Sequence, residues 1–299
     1  MYIERRIVAA RHGEEERNFS AIIGWKALTD SINQFGEDHE FTKLVVDLKG
    51  QDPDDAFSSI PYEKGSTFLW HLERTVGREK WDKFIPHYFN EYKGRSVDSY
   101  EFKATLLSFF AEDAEASKAL EGVDFETWFY KPGFPPKPDF DTTLADQCYE
   151  LADGWQTLNE DKNQWRPKAD DIKSFTANQS VVFLEKIQTL PEPLKPELIE
   201  LMGKTYGYAS SKNVEVASRF LVAGLQSKDE NVYASAAELL GKVGRMKFVR
   251  PLFRELLRCE PSLAKKALQD NKDFYHPICR GMMEKILEKY EKGESSAAA

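Results

Sequence analysis

Residues 131–143 read KPGFPPKPDFDTT, and four of the chain's fourteen prolines fall within them, at positions 132, 135, 136 and 138. Proline fixes its own φ and carries no amide hydrogen, so a stretch of this kind cannot continue a helix. It reads as a stiff connector between domains. The sequence is therefore divided into residues 1–131, a proline-rich linker 132–143, and residues 144–299.

Both flanks read as helix. Upstream, residues 62–76 (YEKGSTFLWHLERTV) place Phe68, Leu69, Leu72 and Val76 at helical spacing. Segments 79–92 and 99–111 repeat the pattern with aromatic stripes, and Phe84, Tyr88, Phe89, Phe102, Phe109 and Phe110 are assigned to a core, with Trp25, Trp128 and Phe129 as packing residues. Asp98 or Ser99 suits the cap of the second segment. Residues 4–17 read as an opening helix whose run 14–17 is a solvated face, and 44–48 (LVVDL) as one weak strand-like run. Downstream, amphipathic segments follow at 144–158, 179–190, 195–206, 214–227, 232–243, 248–258 and 278–290, with a frayed tail over 289–299. The fold class is all-α, and the second half is expected to stack as a solenoid or bundle of HEAT or armadillo type.

Composition narrows the function. The 299 residues are 41% hydrophobic and 30% charged, the balance of a soluble globular protein. No run reaches the roughly 18 apolar residues of a membrane span, and the N-terminus lacks the apolar core of a secretory signal. Cys148, Cys259 and Cys279 lie far apart and form no CxxC pair, which suits a reducing compartment, cytoplasmic or nuclear. A net charge of −9 argues against general nucleic-acid binding.

Six segments, in order, carry a family resemblance: MYIERR at 1–6, GW at 24–25, FTKLVVDL at 41–48, DPDDAFSSIPYEKG at 52–65, WFYKPGFPPKPDFD at 128–141 and GRMKFVRPLF at 244–253. They resemble the leukotriene A(4) hydrolase type of gluzincin zinc aminopeptidase, over its C-terminal half. The resemblance implies that residues 1–131 are the α-helical lobe of a thermolysin-like catalytic domain and 144–299 a helical C-terminal domain. It also implies zinc as the parent family's cofactor and short peptides as substrates.

The same resemblance assigns roles. Tyr62, in PYEKG, matches the family's oxyanion donor; such a phenol stabilises charge as it develops on the scissile carbonyl. Asp54 matches the acidic residue that directs water in epoxide opening, although Phe57 stands where the animal enzymes carry a tyrosine. Arg245 and Lys247 match the site for a substrate carboxylate, a task suited to the planar guanidinium fork. Read without the resemblance, these residues are a buried tyrosine at a helix start, a turn aspartate, and a solvated basic turn.

The zinc ligands themselves are not in the sequence. HExxH would set two histidines on one helical face, whereas the five histidines, His12, His39, His71, His87 and His276, show no HxxxH spacing. The family's third ligand lies just before the segment matching MYIERR, and Glu4 matches a later glutamate of that helix, not the ligand. The expectation is a chain that binds no metal and is inactive alone, with a complementing N-terminal chain as its possible partner. The competing expectation is a non-catalytic helical scaffold for protein interaction.

Overall fold

The computed structural model describes residues 1–161 and 165–293, and every regular element among them is helical. No strand occurs among the described residues. The chain divides between Thr142 and Thr143 into two compact units.

In the first unit, α1 (Tyr2–His12) and α2 (Glu14–Phe35) are separated by Gly13 at φ 99°. That conformation is open to glycine and closed to most side chains, so the single helix expected over 4–17 is broken in two. Nor is 14–17 a wholly solvated face: Glu14 and Glu15 are exposed, but Arg17 is buried. Gly77, at φ 87°, likewise separates α3 (Ile60–Val76) from α4 (Arg78–Glu91). Then come α5 (Ser99–Phe109), α6 (Ala114–Glu121) and α7 (Phe125–Tyr130). Asp98 caps α5 through a reciprocal box with Glu101. The sequence reading passed over α6 and α7, whose caps Asp113 and Asp124 each accept the N–H three residues on.

The core of this unit gathers on α3. Phe68, Leu72 and Val76 pack with Trp81 and Phe84 of α4, Leu106 of α5, Leu120 of α6, and Phe125, Trp128 and Phe129 of α7. Tyr88, Phe102 and Phe109 pack against this cluster partly buried. Phe89 does not belong to it: it is 61% exposed. Positions 84 and 88 share the inner face of α4, and the next residue is turned about 100° away from it. The 44–48 run is irregular: Val45 N–H donates to the Phe129 carbonyl (2.9 Å), and the Leu48 carbonyl accepts from Gln51 N–H (3.0 Å). With no strand among the described residues, it has no ladder to join.

The proline stretch lies along this unit. Gly133 N–H donates to Thr42 Oγ1 (2.8 Å) and Asp141 N–H to Asn18 Oδ1 (3.1 Å). Phe134 stacks on Trp25, and Phe140 meets both Trp25 and Trp70 at about 6 Å between ring centres. Its aromatic residues thus extend the small cluster of Leu28, Ile32 and Ile60.

Two buried ion pairs tie α1 and α2 to α3. Arg5 Nη2 donates to Glu63 Oε2 (2.7 Å) and to the Ser20 carbonyl (3.0 Å), while Nη1 donates to Ser66 Oγ (3.0 Å). Arg17 pairs with Glu73 (2.6 Å), which also accepts from Tyr2 Oη (2.6 Å). Gly24 of α2 passes directly over the first pair: a Cβ there would lie 2.0 Å from Arg5 Nη2 and 2.2 Å from Glu63 Oε2.

The second unit comprises α8 (Thr143–Asn159), α9 (Ala177–Ile187), α10 (Pro196–Thr205), α11 (Val214–Gln226), α12 (Tyr233–Leu240), α13 (Met246–Cys259), α14 (Pro261–Asn271) and α15 (Pro277–Glu291). Helices α9, α11, α13 and α15 follow one another as neighbours in one row, while α12 and α14 neighbour each other in a second. Alternation of this kind is the two-layer stacking of a HEAT or armadillo-like solenoid. The inner row is apolar almost all round at α11, where Phe220 to Leu225 are all buried. Amphipathic α13 buries Phe248, Val249, Leu252, Phe253, Leu256 and Leu257. The sequence reading missed α14, whose start is marked by Pro261 in its first turn. Residues 289–291, assigned to a frayed tail, complete α15, and 294–299 lie outside the described residues.

Two predictions follow from the buried pairs. Gly24→Ala drives a methyl into Arg5 and Glu63 and is expected to lower stability by about 1–3 kcal/mol, read by urea unfolding. Burial alone would raise the Glu73 pKa, but the hydrogen bonds from Arg17 and Tyr2 outweigh it and hold the group below the usual carboxylate range. The unfolded chain therefore takes up that proton first as pH falls. The stability contributed by Glu73 is complete above the ordinary carboxylate pKa and is lost as pH falls through the lower folded value. Glu73→Gln should flatten the acid limb of a stability-versus-pH curve; an unchanged acid limb would count against the pair.

Candidate active-site segment

Residues 52–65 form a run of tight turns leading into α3. Asp55 N–H bonds to the Asp52 carbonyl (3.1 Å), Ala56 N–H to that of Pro53 (3.2 Å), and Phe57 N–H to that of Asp54 (3.2 Å). Asp52 Oδ1 accepts from Asp54 N–H (3.0 Å), which fixes the start of the turn and leaves Asp54 exposed. Ser59 Oγ reaches the Ala27 carbonyl (2.7 Å), anchoring the entry of α3 to α2. Pro61 then occupies the first turn, where its missing N–H costs nothing.

The three residues after Pro61 point three ways, as successive helical positions must. Tyr62 faces outward and is 50% exposed, so it is not a core tyrosine. Phe57, 73% exposed, stands edge-on to its ring at 6.3 Å between centres. Glu63 turns inward to the Arg5 pair. Lys64, only 1% exposed, turns toward the proline stretch, and its ammonium donates to three carbonyls: Thr42 (3.0 Å), Lys131 (2.9 Å) and Gly133 (2.9 Å). Burial pushes its pKa down to about 8, while the three carbonyl acceptors favour the charged form. The outward Tyr62 thus sits on a helical turn locked by two buried charges. Sequence reasoning singled out Tyr62 and missed Glu63 and Lys64; two adjacent charges inside an otherwise amphipathic helix were the available signal.

The basic pair lies on the second unit. Arg245 occupies the N-cap position of α13: its carbonyl accepts from Phe248 N–H (2.9 Å), and its side chain is exposed. Lys247, in the first turn, forms an ion pair with Glu215 of α11 and lies 4.9 Å from the Phe248 ring centre. Glu215 also pairs with Arg219 (2.7 Å). Lys247 therefore carries a compensated charge, and Arg245 is the member of the pair with no ion-pair partner among the described residues. Glu215 was not foreseen.

The zinc ion of the parent family finds no fitting donor set here. Among the described residues no group of three or more His, Cys, Asp or Glu side chains could hold a metal. Four of the five histidines are used otherwise: His39 Nδ1 caps a short turn, His71 stacks on Trp128, His87 lies tilted against Phe109, and His276 Nδ1 caps α15. Nor is any described helix long and apolar enough to cross a membrane.

Comparison with known proteins agrees with the two units. The peptidase family M1 domain matches residues 1–128, and the leukotriene A4 hydrolase C-terminal family matches 175–287. Leucine aminopeptidase 2 of Aspergillus niger is 62% identical over 286 residues, covering 96% of this chain and 46% of its own length. A leukotriene A-4 hydrolase homolog of Botryotinia fuckeliana is 59% identical over 287 residues, covering 96% of this chain and 44% of its own length. Among solved structures, yeast LTA4 hydrolase in complex with bestatin superposes with a TM-score of 0.88 at 39% identity, covering 96% of this chain and 48% of that one. The chain belongs to the leukotriene A4 hydrolase type of M1 aminopeptidase, of which it represents the C-terminal half. It spans about half the length of the curated relatives it matches.

Replacing Lys64 by Met would leave three buried carbonyls without their donor. Each such loss costs about 1–3 kcal/mol, so Lys64→Met should destabilise the first unit by several times more than exposed Lys26→Met, measured by thermal unfolding followed by tryptophan fluorescence.

Proposed function

We propose that this polypeptide serves as the C-terminal half of a zinc aminopeptidase acting on short peptides, with the metal ligands contributed by the remainder of the catalytic domain, on the same or on a complementing N-terminal chain. The observation that carries this reading is Tyr62. It is outward-facing and half exposed on a rigid turn, in a chain 62% identical to a leucine aminopeptidase. A phenol held this way can donate a hydrogen bond to the oxygen of a scissile carbonyl as negative charge develops there, and fixed donors of this kind cost no reorganisation during the reaction.

The other residues take supporting parts. Arg245 offers a planar fork to a substrate carboxylate, while Lys247 beside it has its charge compensated by Glu215. Asp54 sits on a firmly turned loop close in sequence to Tyr62, where a carboxylate can orient water. Phe57, lacking a hydroxyl, makes epoxide chemistry the weaker of the two activities. Zinc, held by the other half, would lower the pKa of bound water and polarise the carbonyl; the described residues present no ligand set for it, and on this reading the chain alone is inactive. Ile3 and Ile7, one turn apart on α1 and 40% and 55% exposed, give an apolar strip suited to contact with that other half. Three free cysteines suit a reducing compartment, the cytoplasm or the nucleus.

The purified 299-residue chain should contain no stoichiometric zinc and should not hydrolyse amino-acid anilides. Co-expression with the N-terminal half of the Aspergillus niger leucine aminopeptidase 2 should restore both. In that complex Tyr62→Phe should lower kcat by about 10²–10³ with little change in zinc content. Turnover by the chain alone, or full activity of Tyr62→Phe in the complex, would overturn the reading.

A further inference from the structure

Between α3 and the proline stretch lies a cleft of about 100 Å³, lined by Thr67, Trp70, His71, Arg74, Trp128, Lys137 and two prolines, Pro136 and Pro138. Its polar groups are held in place by rings and by backbone restriction. The Arg74 guanidinium lies 5.6 Å from the Trp70 ring centre. A guanidinium stacked on an indole keeps its N–H edge directed outward. His71 stacks on Trp128 at 5.3 Å and 25°, which fixes its imidazole at the wall. Lys137 stands between Pro136 and Pro138, so its backbone is confined to an extended conformation.

The charges are also uncompensated. Neither Arg74 nor Lys137 has a carboxylate partner among the described residues. Nearby Glu73 is already engaged by Arg17 and Tyr2. The Arg17 guanidinium lies over the same Trp70 ring at 4.7 Å, with its own charge compensated by Glu73. Burial and the Arg74 charge both lower the His71 pKa, which leaves a neutral imidazole able to donate one N–H. Two cations and a neutral donor lining so small a volume suit an oxyanion of about the size of phosphate.

We propose that this cleft is an anion-binding site that takes a phosphate group, as the free ion or as a small monoester. It is built wholly from the first unit and stands independently of the aminopeptidase reading. The complete 299-residue chain would be titrated with inorganic phosphate at constant ionic strength. Calorimetry would be combined with the NMR shifts of the Trp70 and Trp128 indole N–H groups. Saturable binding in the millimolar range or tighter is expected, with those two indoles shifting most. Arg74→Gln and Lys137→Gln should each weaken it by on the order of tenfold, since each removes one charge-assisted donor. Lys26→Gln, elsewhere on the surface, should leave it unchanged. Circular dichroism would verify that the variants remain folded, as their exposed side chains predict. Titration with phenyl phosphate separates the sources: tighter binding than phosphate assigns the site to an ester, weaker binding to the free ion. Absence of saturation below about 10 mM phosphate, or an affinity unaltered in both cleft variants, would overturn the proposal.

Discussion

The constraint on which the first unit depends is the presence of two opposite charges, side by side in sequence, both removed from water at the start of α3. Glu63 and Lys64 cannot pair with one another, because consecutive helical residues point about 100° apart. Each must find its own partners, and the fold is arranged around that need. Glu63 recruits Arg5 from α1 beneath a glycine of α2, and Lys64 recruits carbonyls from the Thr42 turn and from the proline stretch. A buried charge without partners is costly, so these contacts specify one arrangement of four chain segments. Tyr62 inherits its orientation from this lock, since the inward direction of its two neighbours leaves it only the outward one.

Seen this way, the proline stretch is more than a stiff connector. Its prolines keep the backbone extended and reduce its own hydrogen-bonding demand. The carbonyls of Lys131 and Gly133 are thereby left to accept from Lys64, and Phe134 and Phe140 to close the aromatic cluster about Trp25. Gly133 is required here on two counts. It adopts φ 79°, and a Cβ would come within 2.7 Å of Glu37.

Much of the fold was legible because helical periodicity is a local signal. Both units read as helical, and most helices fall within a few residues of the segments that their apolar spacing marked. What failed has local causes too. Gly13 split one periodic run, since periodicity persists across a single residue of unusual φ. The short α6 and α7 span too few turns to display a stripe. The 44–48 run is weakly strand-like, but a strand needs a partner that sequence does not reveal. Arg17 looked solvated because it belongs to a charged run; its burial depends on Glu73, 56 residues away.

The site divides along the same line. Tyr62, Asp54, Arg245 and Lys247 could be named because a family pattern marks them, not because composition or spacing did. What the pattern could not convey is their electrostatic state. Lys247 is compensated by Glu215, from a helix two elements earlier, whereas Arg245, at a helix N-cap, extends from a position where no preceding turn can supply a carboxylate. Two basic residues that read alike in GRMKF are therefore unequal. The one at the cap has no ion-pair partner among the described residues; the one in the first turn shares a glutamate with Arg219. In the proposed carboxylate-binding role the arginine would therefore come first, because Glu215 already offsets the charge of the lysine.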